Sequence, residues 1–239
     1  MMKGPAQERE LSFVEHLEEF RRRLIYVLVS VGICFAVSMA FARNLLCFLT
    51  RHLDELVFIS PTEVFISYLS VGLVSGIILS LPVIFYNLWR FAWIALTDTE
   101  KRAAAVFIPL SIIFFFFGAA FSFFIVTPLG LHFLITMAPE GIKPMISVMK
   151  YVSFVGMLLF AFGVAFELPI ALSLLTKLGI ITPAFLAKKR KYAVLIIFIA
   201  AAILTPPDAF TQVLMAIPLI FLYELGIVFS KISRPRGAG

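Results

Sequence analysis

The sequence predicts an all-α integral membrane protein of six spans, with both termini on the same side of the bilayer. Three observations carry that expectation: an excess of apolar residues, apolar runs of helix length, and lysines and arginines gathered into alternate loops. Hydrophobic residues make up 62% of the 239 positions and charged ones 14%, against about 45–50% and about 25% in a soluble domain. A chain this short exposes much of its surface when folded, so water is excluded as the solvent for most of it. In hydrocarbon every backbone N–H and C=O needs an internal partner, which restricts spans to helices and closed barrels. Barrel strands would alternate apolar and polar residues over about 10 positions. Here the runs are continuous and approach the roughly 20 residues of a spanning helix.

Breaks in hydropathy place the spans at 24–42, 64–88, 103–128, 151–176, 192–204 and 210–229 of one membrane domain. Residues 1–23 form an amphipathic N-terminal segment and 230–239 a tail, both assigned to the cytoplasm. Pro82, Pro109, Pro128, Pro169 and Pro218 fall in or beside spans, where neighbouring helices can satisfy freed carbonyls, so kinks are expected. The fifth span offers only ~20 Å of helix against a hydrocarbon core of about 30 Å, and Thr205-Pro206-Pro207-Asp208 turns the chain straight after it. The last two helices are therefore expected to be short, and to thin the bilayer locally or shelter behind other helices.

Orientation follows from the cations. Sixteen of the 20 lysines and arginines lie before span one, between spans two and three, between four and five, or after six. Only Arg43, Arg51, Lys143 and Lys150 lie on the other side. The net charge of +6 is thus a topology signal, and nucleic-acid binding need not be invoked. Cys34 and Cys47 make no CxxC motif, and His16, His52 and His132 are scattered, so no metal or other cofactor is expected. The N-terminus carries five acids before Arg23 and no short apolar stretch with a cleavage site, unlike a removable signal peptide.

Three acidic features could carry chemistry. Ser12 and Glu15 fit a capping box, predicting a helix start. Glu15, Glu18 and Glu19 then share a face, while Leu11, Phe13, Val14, Leu17 and Phe20 supply an apolar one, so the segment can lie along the membrane before turning into span one. Glu18–Arg22 and Glu19–Arg23 are alternatively ordinary i,i+4 pairs. Glu100, in Thr97-Asp98-Thr99-Glu100-Lys101-Arg102, runs against the basic bias of its side. Clustered carboxylates there would attract arginine, whose planar fork matches a carboxylate bidentately; alternatively Thr97 or Asp98 caps the third helix and Glu100 complements its dipole. Glu167 sits deep in span four, two residues before Pro169. An ionisable group there is costly and usually faces the bundle or a wet cavity. Pro169 frees the carbonyl of Ala165, which a protonated Glu167 could use. The run Phe114–Phe117 reads as lipid-facing or packing surface.

No HExxH, GxGD, GxSG, P-loop or dinucleotide motif is present, so catalysis is not expected. A proton-coupled solute transporter using Glu167 at a broken helix remains a rival, although no two-half symmetry and no second buried acid accompany it.

Several segments together resemble the TatC family, the multispanning subunit of the twin-arginine protein translocase. Glu15-His16-Leu17-Glu18-Glu19-Phe20-Arg21-Arg22-Arg23-Leu24 is similar to its HLxELRxRL motif, and Ser60-Pro61-Thr62-Glu63 to the end of its first external loop. Residues 81–91 resemble the end of its second helix, Glu100-Lys101-Arg102 its EKR/ERR, and residues 162–169 its FGxxFExP. Leu204-Thr205-Pro206-Pro207-Asp208, with Gln212 and Ala216-Ile217-Pro218, completes the match. The loop before Glu100 departs from the family in lacking a proline, and the first external loop, 43–59, is short.

The resemblance implies a cupped bundle in the inner membrane of a prokaryote, one that binds the twin-arginine signal peptides of folded cargo. It implies single-span TatA and TatB subunits as partners, with membrane lipid and self-association, and export driven by the protonmotive force. By position it implies that Glu19 and Glu100 grip the signal arginines and that Arg21, Phe91 and Lys101 shape that patch. Glu167 and Gln212 would then meet partner helices or an inserted peptide, with Asp208 at the outer turn.

Overall fold

The computed structural model describes residues 5–51, 56–92, 98–137, 145–204 and 209–233. Helix α1 (Pro5–Ala40), α2 (Ala42–Thr50) and a two-residue strand β1 (Leu56–Val57) precede α3 (Pro61–Ala92) and α4 (Asp98–Phe121). A π-helical turn (Ser122–Val126) joins α4 to α5 (Thr127–Thr136). Strand β2 (Ile146–Ser147) then leads into α6 (Val148–Phe166), α7 (Leu168–Lys177), α8 (Pro183–Lys188), α9 (Arg190–Leu204) and α10 (Ala209–Ser233).

Among the described residues, five helical stretches are long and apolar enough to cross a membrane: Leu17–Ala40, Pro61–Phe91, Ala105–Thr136, Val148–Lys177 and Gln212–Ser233. They match expected spans one to four and six. Helix α9 occupies the place of span five and has only 15 residues, ~22 Å of rise. Pro82, Pro109 and Pro218 lie inside continuous helices.

Two expectations need correction. The N-terminal segment does not begin its helix at Ser12, nor turn before span one: α1 is one helix of 36 residues beginning at Pro5. Proline suits a first helical turn, and no Gly or Pro stands between Pro5 and Gly32 to interrupt a run rich in Glu, Leu and Arg. Nor are both of the last helices short, since α10 has 25 residues and ~37 Å of rise. It continues past Phe229 because Ser230 and Ser233 find partners on α7. Thr176 and Ser230 share a hydrogen bond, and Ser173 and Ser233 share another at 2.6 Å.

These contacts bring the end of α10 to the end of α7, and Phe20 against Phe91 brings the start of α1 to the end of α3. Lys177 lies over the Phe107 ring, joining the start of α4 to the same region. The basic loops therefore meet at one end of the bundle. At the opposite end, β1 pairs in parallel with β2, Leu56 beside Ile146 and Val57 beside Ser147. Glu63 fastens that end. Its buried carboxylate accepts from the Ile59 N–H at 2.7 Å, the Met149 N–H at 3.2 Å and the Ser147 hydroxyl. The Tyr151 hydroxyl adds a bond to the Leu49 carbonyl at 2.7 Å.

The core lies where α6 meets α4, α9 and α10, around Leu158, Phe162, Met215 and Ala216. The phenylalanine run splits by helical period: Phe115 is buried, while Phe116 and Phe117 are exposed. Gly118 lets α4 close on α6, because a Cβ there would stand 2.5 Å from the Phe162 carbonyl oxygen. Nothing lies within 4 Å of a Cβ at Gly32. Gly118→Ala is expected to destabilise the protein by about 1–3 kcal/mol, the range for overpacking. Gly32→Ala should leave stability unchanged or slightly raised; thermal unfolding in detergent checks both.

Candidate functional site

At the basic end, Glu19 and Arg23 stand one turn apart on α1 and form an ion pair. The Arg23 side chain is only 14% exposed and that of Glu19 26%, and Arg23 Nε is buried with no partner. Phe20, between them in sequence, meets Phe91 of α3 edge-on, with centroids 5.5 Å apart. Phe20, Arg23 and Phe91, with Leu24, Val27, Ile84, Asn87 and Leu88, line a cavity of about 190 Å³ between α1 and α3.

The other expected pair, Glu18–Arg22, does not form. Arg22 turns to Tyr26, donating to its hydroxyl at 3.0 Å with the guanidinium 5.7 Å from the ring centre. The tyrosine offers an acceptor and a π face at once. Arg21 is exposed on α1, and Lys101 is half-buried in the first turn of α4. Glu100 shares that first turn, but its side chain lies outside the described residues, as does the whole of Asp208.

A second and larger cavity, about 710 Å³, opens between α1, α3, α4, α6 and α7. Its walls are apolar apart from Glu167 and Ser111. Glu167 stands at the junction of α6 and α7, where Pro169 cannot donate to the chain behind it. The Glu167 N–H bonds to the Val164 carbonyl at 3.1 Å, and its carbonyl accepts from Ala171 at 2.8 Å, restarting the helix. The carboxyl does not return to Ala165 as the sequence suggested. It shares the wall of the larger cavity with Ser111 of α4, and its Oε1 is buried without a partner. Ile84 and Leu88 line both cavities, so they adjoin along one face of α3. An apolar ligand could extend from the Glu19 end into the bundle.

Gln212 sits apart from both. Its side-chain N–H donates to the Phe198 carbonyl at 2.9 Å, tying α10 to α9.

Comparison with known proteins now decides the family. The profile of the family described as "Sec-independent protein translocase protein (TatC)" matches residues 15–218. This chain belongs to the TatC family. A TatC of Desulforapulum autotrophicum is 40% identical over 95% of this chain and 86% of its own length. One from Aquifex aeolicus is 43% identical over 93% and 96%. A crystal structure described as the twin-arginine translocase receptor TatC superposes with a TM-score of 0.81 at 42% identity, covering 91% of this chain and 99% of that one. The chain is therefore a membrane-embedded component of a Sec-independent protein translocase, a transport subunit rather than a member of an enzyme family. The solute-transporter reading of Glu167 gains no support.

Of the candidate residues, Phe91 lines the smaller cavity and Glu167 the larger; sequence reasoning gave Phe20 only an apolar face and gave Asn87 and Ser111 no role. Ser111 left a signal, as the one hydroxyl between Ala103 and Phe117. Gln212→Ala is expected to cost about 0.5–1.5 kcal/mol, the worth of an ordinary hydrogen bond, measured by thermal unfolding of the isolated subunit. No loss of stability would show that the amide serves something other than the α9–α10 turn.

Proposed function

We propose that this TatC-family protein recognises twin-arginine signal peptides at its basic, cytoplasmic end and gathers single-span TatA and TatB subunits for export of folded cargo driven by the protonmotive force. Both termini then lie in the cytoplasm, as the positive-inside distribution requires. The observation that carries the reading is the juxtaposition of a carboxylate with an apolar path. Glu19 pairs with Arg23 of the Phe20–Phe91 cavity, which adjoins the larger cavity holding Glu167. A peptide with two arginines followed by an apolar stretch has the complementary order.

In this reading Glu19 and Glu100 accept the guanidinium groups, and Arg21 and Lys101 flank them and disfavour a lone extra cation. Phe91 seats the residues that follow. Glu167 supplies an acceptor inside the apolar cavity for a polar group on an inserted helix. Gln212 on α10, together with Asp208, would contact partner helices.

Bidentate, charge-assisted bonds are worth about 1.5–3 kcal/mol each. Glu19→Ala or Glu100→Ala should weaken binding of a twin-arginine peptide to the detergent-solubilised protein by about 10–100-fold. A Lys-Lys peptide should lose at least as much. Equal binding of both peptides, unaffected by either variant, would overturn the assignment. Glu167→Gln keeps an acceptor and should retain peptide binding, whereas Glu167→Leu should impair assembly with partner subunits, read by co-purification.

A further inference from the structure

We propose that the corner formed by α8 and the start of α9 is a binding site for anionic phospholipid headgroups, with Lys188, Lys189 and Lys191 as the phosphate-contacting groups. The four consecutive cations at 188–191 do not behave alike. Arg190 is committed to Glu224 of α10 at 2.7 Å. Lys188, Lys189 and Lys191 are exposed, and among the described residues no acid pairs with them.

Aromatic rings hold two of the three ammonium groups. Lys189 Nζ lies 5.0 Å from the centre of the Tyr192 ring and 5.7 Å from that of Phe185, and Lys191 Nζ lies 5.1 Å from Tyr192 on its own account. A cation over a ring keeps its charge while losing little freedom when an anion arrives. The platform beneath is fixed. Leu186 is buried, its carbonyl accepts from the Tyr223 hydroxyl at 3.0 Å, and the Phe185 N–H donates to Thr182 Oγ1 at 3.2 Å.

Two further observations favour a lipid over an acidic protein. Ile180, Phe185 and Tyr192 are 66%, 50% and 49% exposed beside the lysines, the mixture of apolar, aromatic and basic groups that marks a membrane interface. A water-borne acidic partner would leave Ile180 and Phe185 without use. Helix α9 is also too short. Its 15 residues rise ~22 Å where the hydrocarbon layer is about 30 Å, and a short span is accommodated by thinning and by snorkelling of its flanks. That mismatch draws the start of α9 towards the phosphate layer.

The test is native mass spectrometry of the full chain in neutral detergent, titrated with phosphatidylglycerol or with phosphatidylcholine of the same acyl chains. The wild-type protein should retain phosphatidylglycerol preferentially. Lys188→Gln, Lys189→Gln and Lys191→Gln combined should lower that retention, by about fivefold per lysine near a charged surface, and 0.5 M salt, a concentration of ~0.5 M being strongly screening, should do the same. A variant with Arg43→Gln and Lys150→Gln, at the other end of the bundle, should bind as wild type does. Equal retention of the two lipids, or undiminished phosphatidylglycerol binding in the triple variant, would overturn the proposal. Binding of a poly-glutamate peptide by a wild type that retains phosphatidylglycerol no better than phosphatidylcholine would overturn it in favour of an acidic protein partner.

Discussion

No water reaches the hydrocarbon layer to complete a backbone hydrogen bond, and that deficit decides where this chain can bend. It bends in the interior at proline-linked places. Before Pro128 the helix widens into a π turn, in which the Thr127 N–H reaches back to the Ser122 carbonyl. Before Pro169 it breaks at Glu167 and restarts at the Ala171 N–H. Polar groups at both breaks are enclosed: Ser122 and Thr127 are fully buried, although Phe124 and Ile125 of the π turn are exposed, and Glu167 Oε1 is buried beside the larger cavity. Irregular backbone at membrane depth is tolerated only in such shelter.

The two ends of the bundle are fastened by different means. At the end opposite the basic loops, one carboxylate gathers three donors from segments up to 86 residues apart, and a two-residue parallel sheet binds the same segments. Breaking such a tie leaves a buried charge or unpaired donors, so it closes that end firmly. At the basic end α10 is likewise tied to α7, α8 and α9, through Ser233, Ser230, Tyr223 and Glu224, whereas α1 meets α3 through Phe20 and Phe91, beside the single-helix pair of Glu19 with Arg23, contacts that separate without stranding a backbone group. A replaceable contact between α1 and α3 suits the proposed entry of a peptide there.

Most of the architecture was legible because hydropathy and charge act locally along the chain. Span positions, the short α9, the i,i+4 pair at Glu19 and the break near Pro169 each depend on residues close in sequence. Features that depend on another helix were not legible. Glu18 and Arg22 have the same spacing as Glu19 and Arg23, yet Tyr26 takes Arg22. The length of α10 is set by Thr176 and Ser173 on α7, about 54 and 60 residues away. Glu63 was visible only as part of a resemblance, because its partners at Ser147 and Met149 arrive through the fold. That Glu167 shares a cavity wall with Ser111 is of the same kind: Glu167 stood out in the sequence, but the hydroxyl beside it arrives only when α4 packs against α7.

The occupied state of Glu19 bears on how an arginine-bearing peptide could be selected. Its carboxylate already holds the Arg23 guanidinium, so a ligand arginine must displace Arg23, and it gains where it meets the carboxylate in a bidentate geometry better than that of an i,i+4 pair. Additional affinity must come from contacts the resting protein lacks. The adjoining apolar cavities provide them: each leucine-sized side chain taken from water contributes about 1.5–3 kcal/mol, and the larger cavity has room for several. Charge then sets register and excludes wrong sequences, while apolar burial supplies most of the strength. A peptide with arginines but no apolar stretch gains only that difference in geometry over Arg23, and one with an apolar stretch but no arginines leaves Glu19 as it was. Selectivity for the two features together follows from placing a pre-paired carboxylate beside an apolar groove.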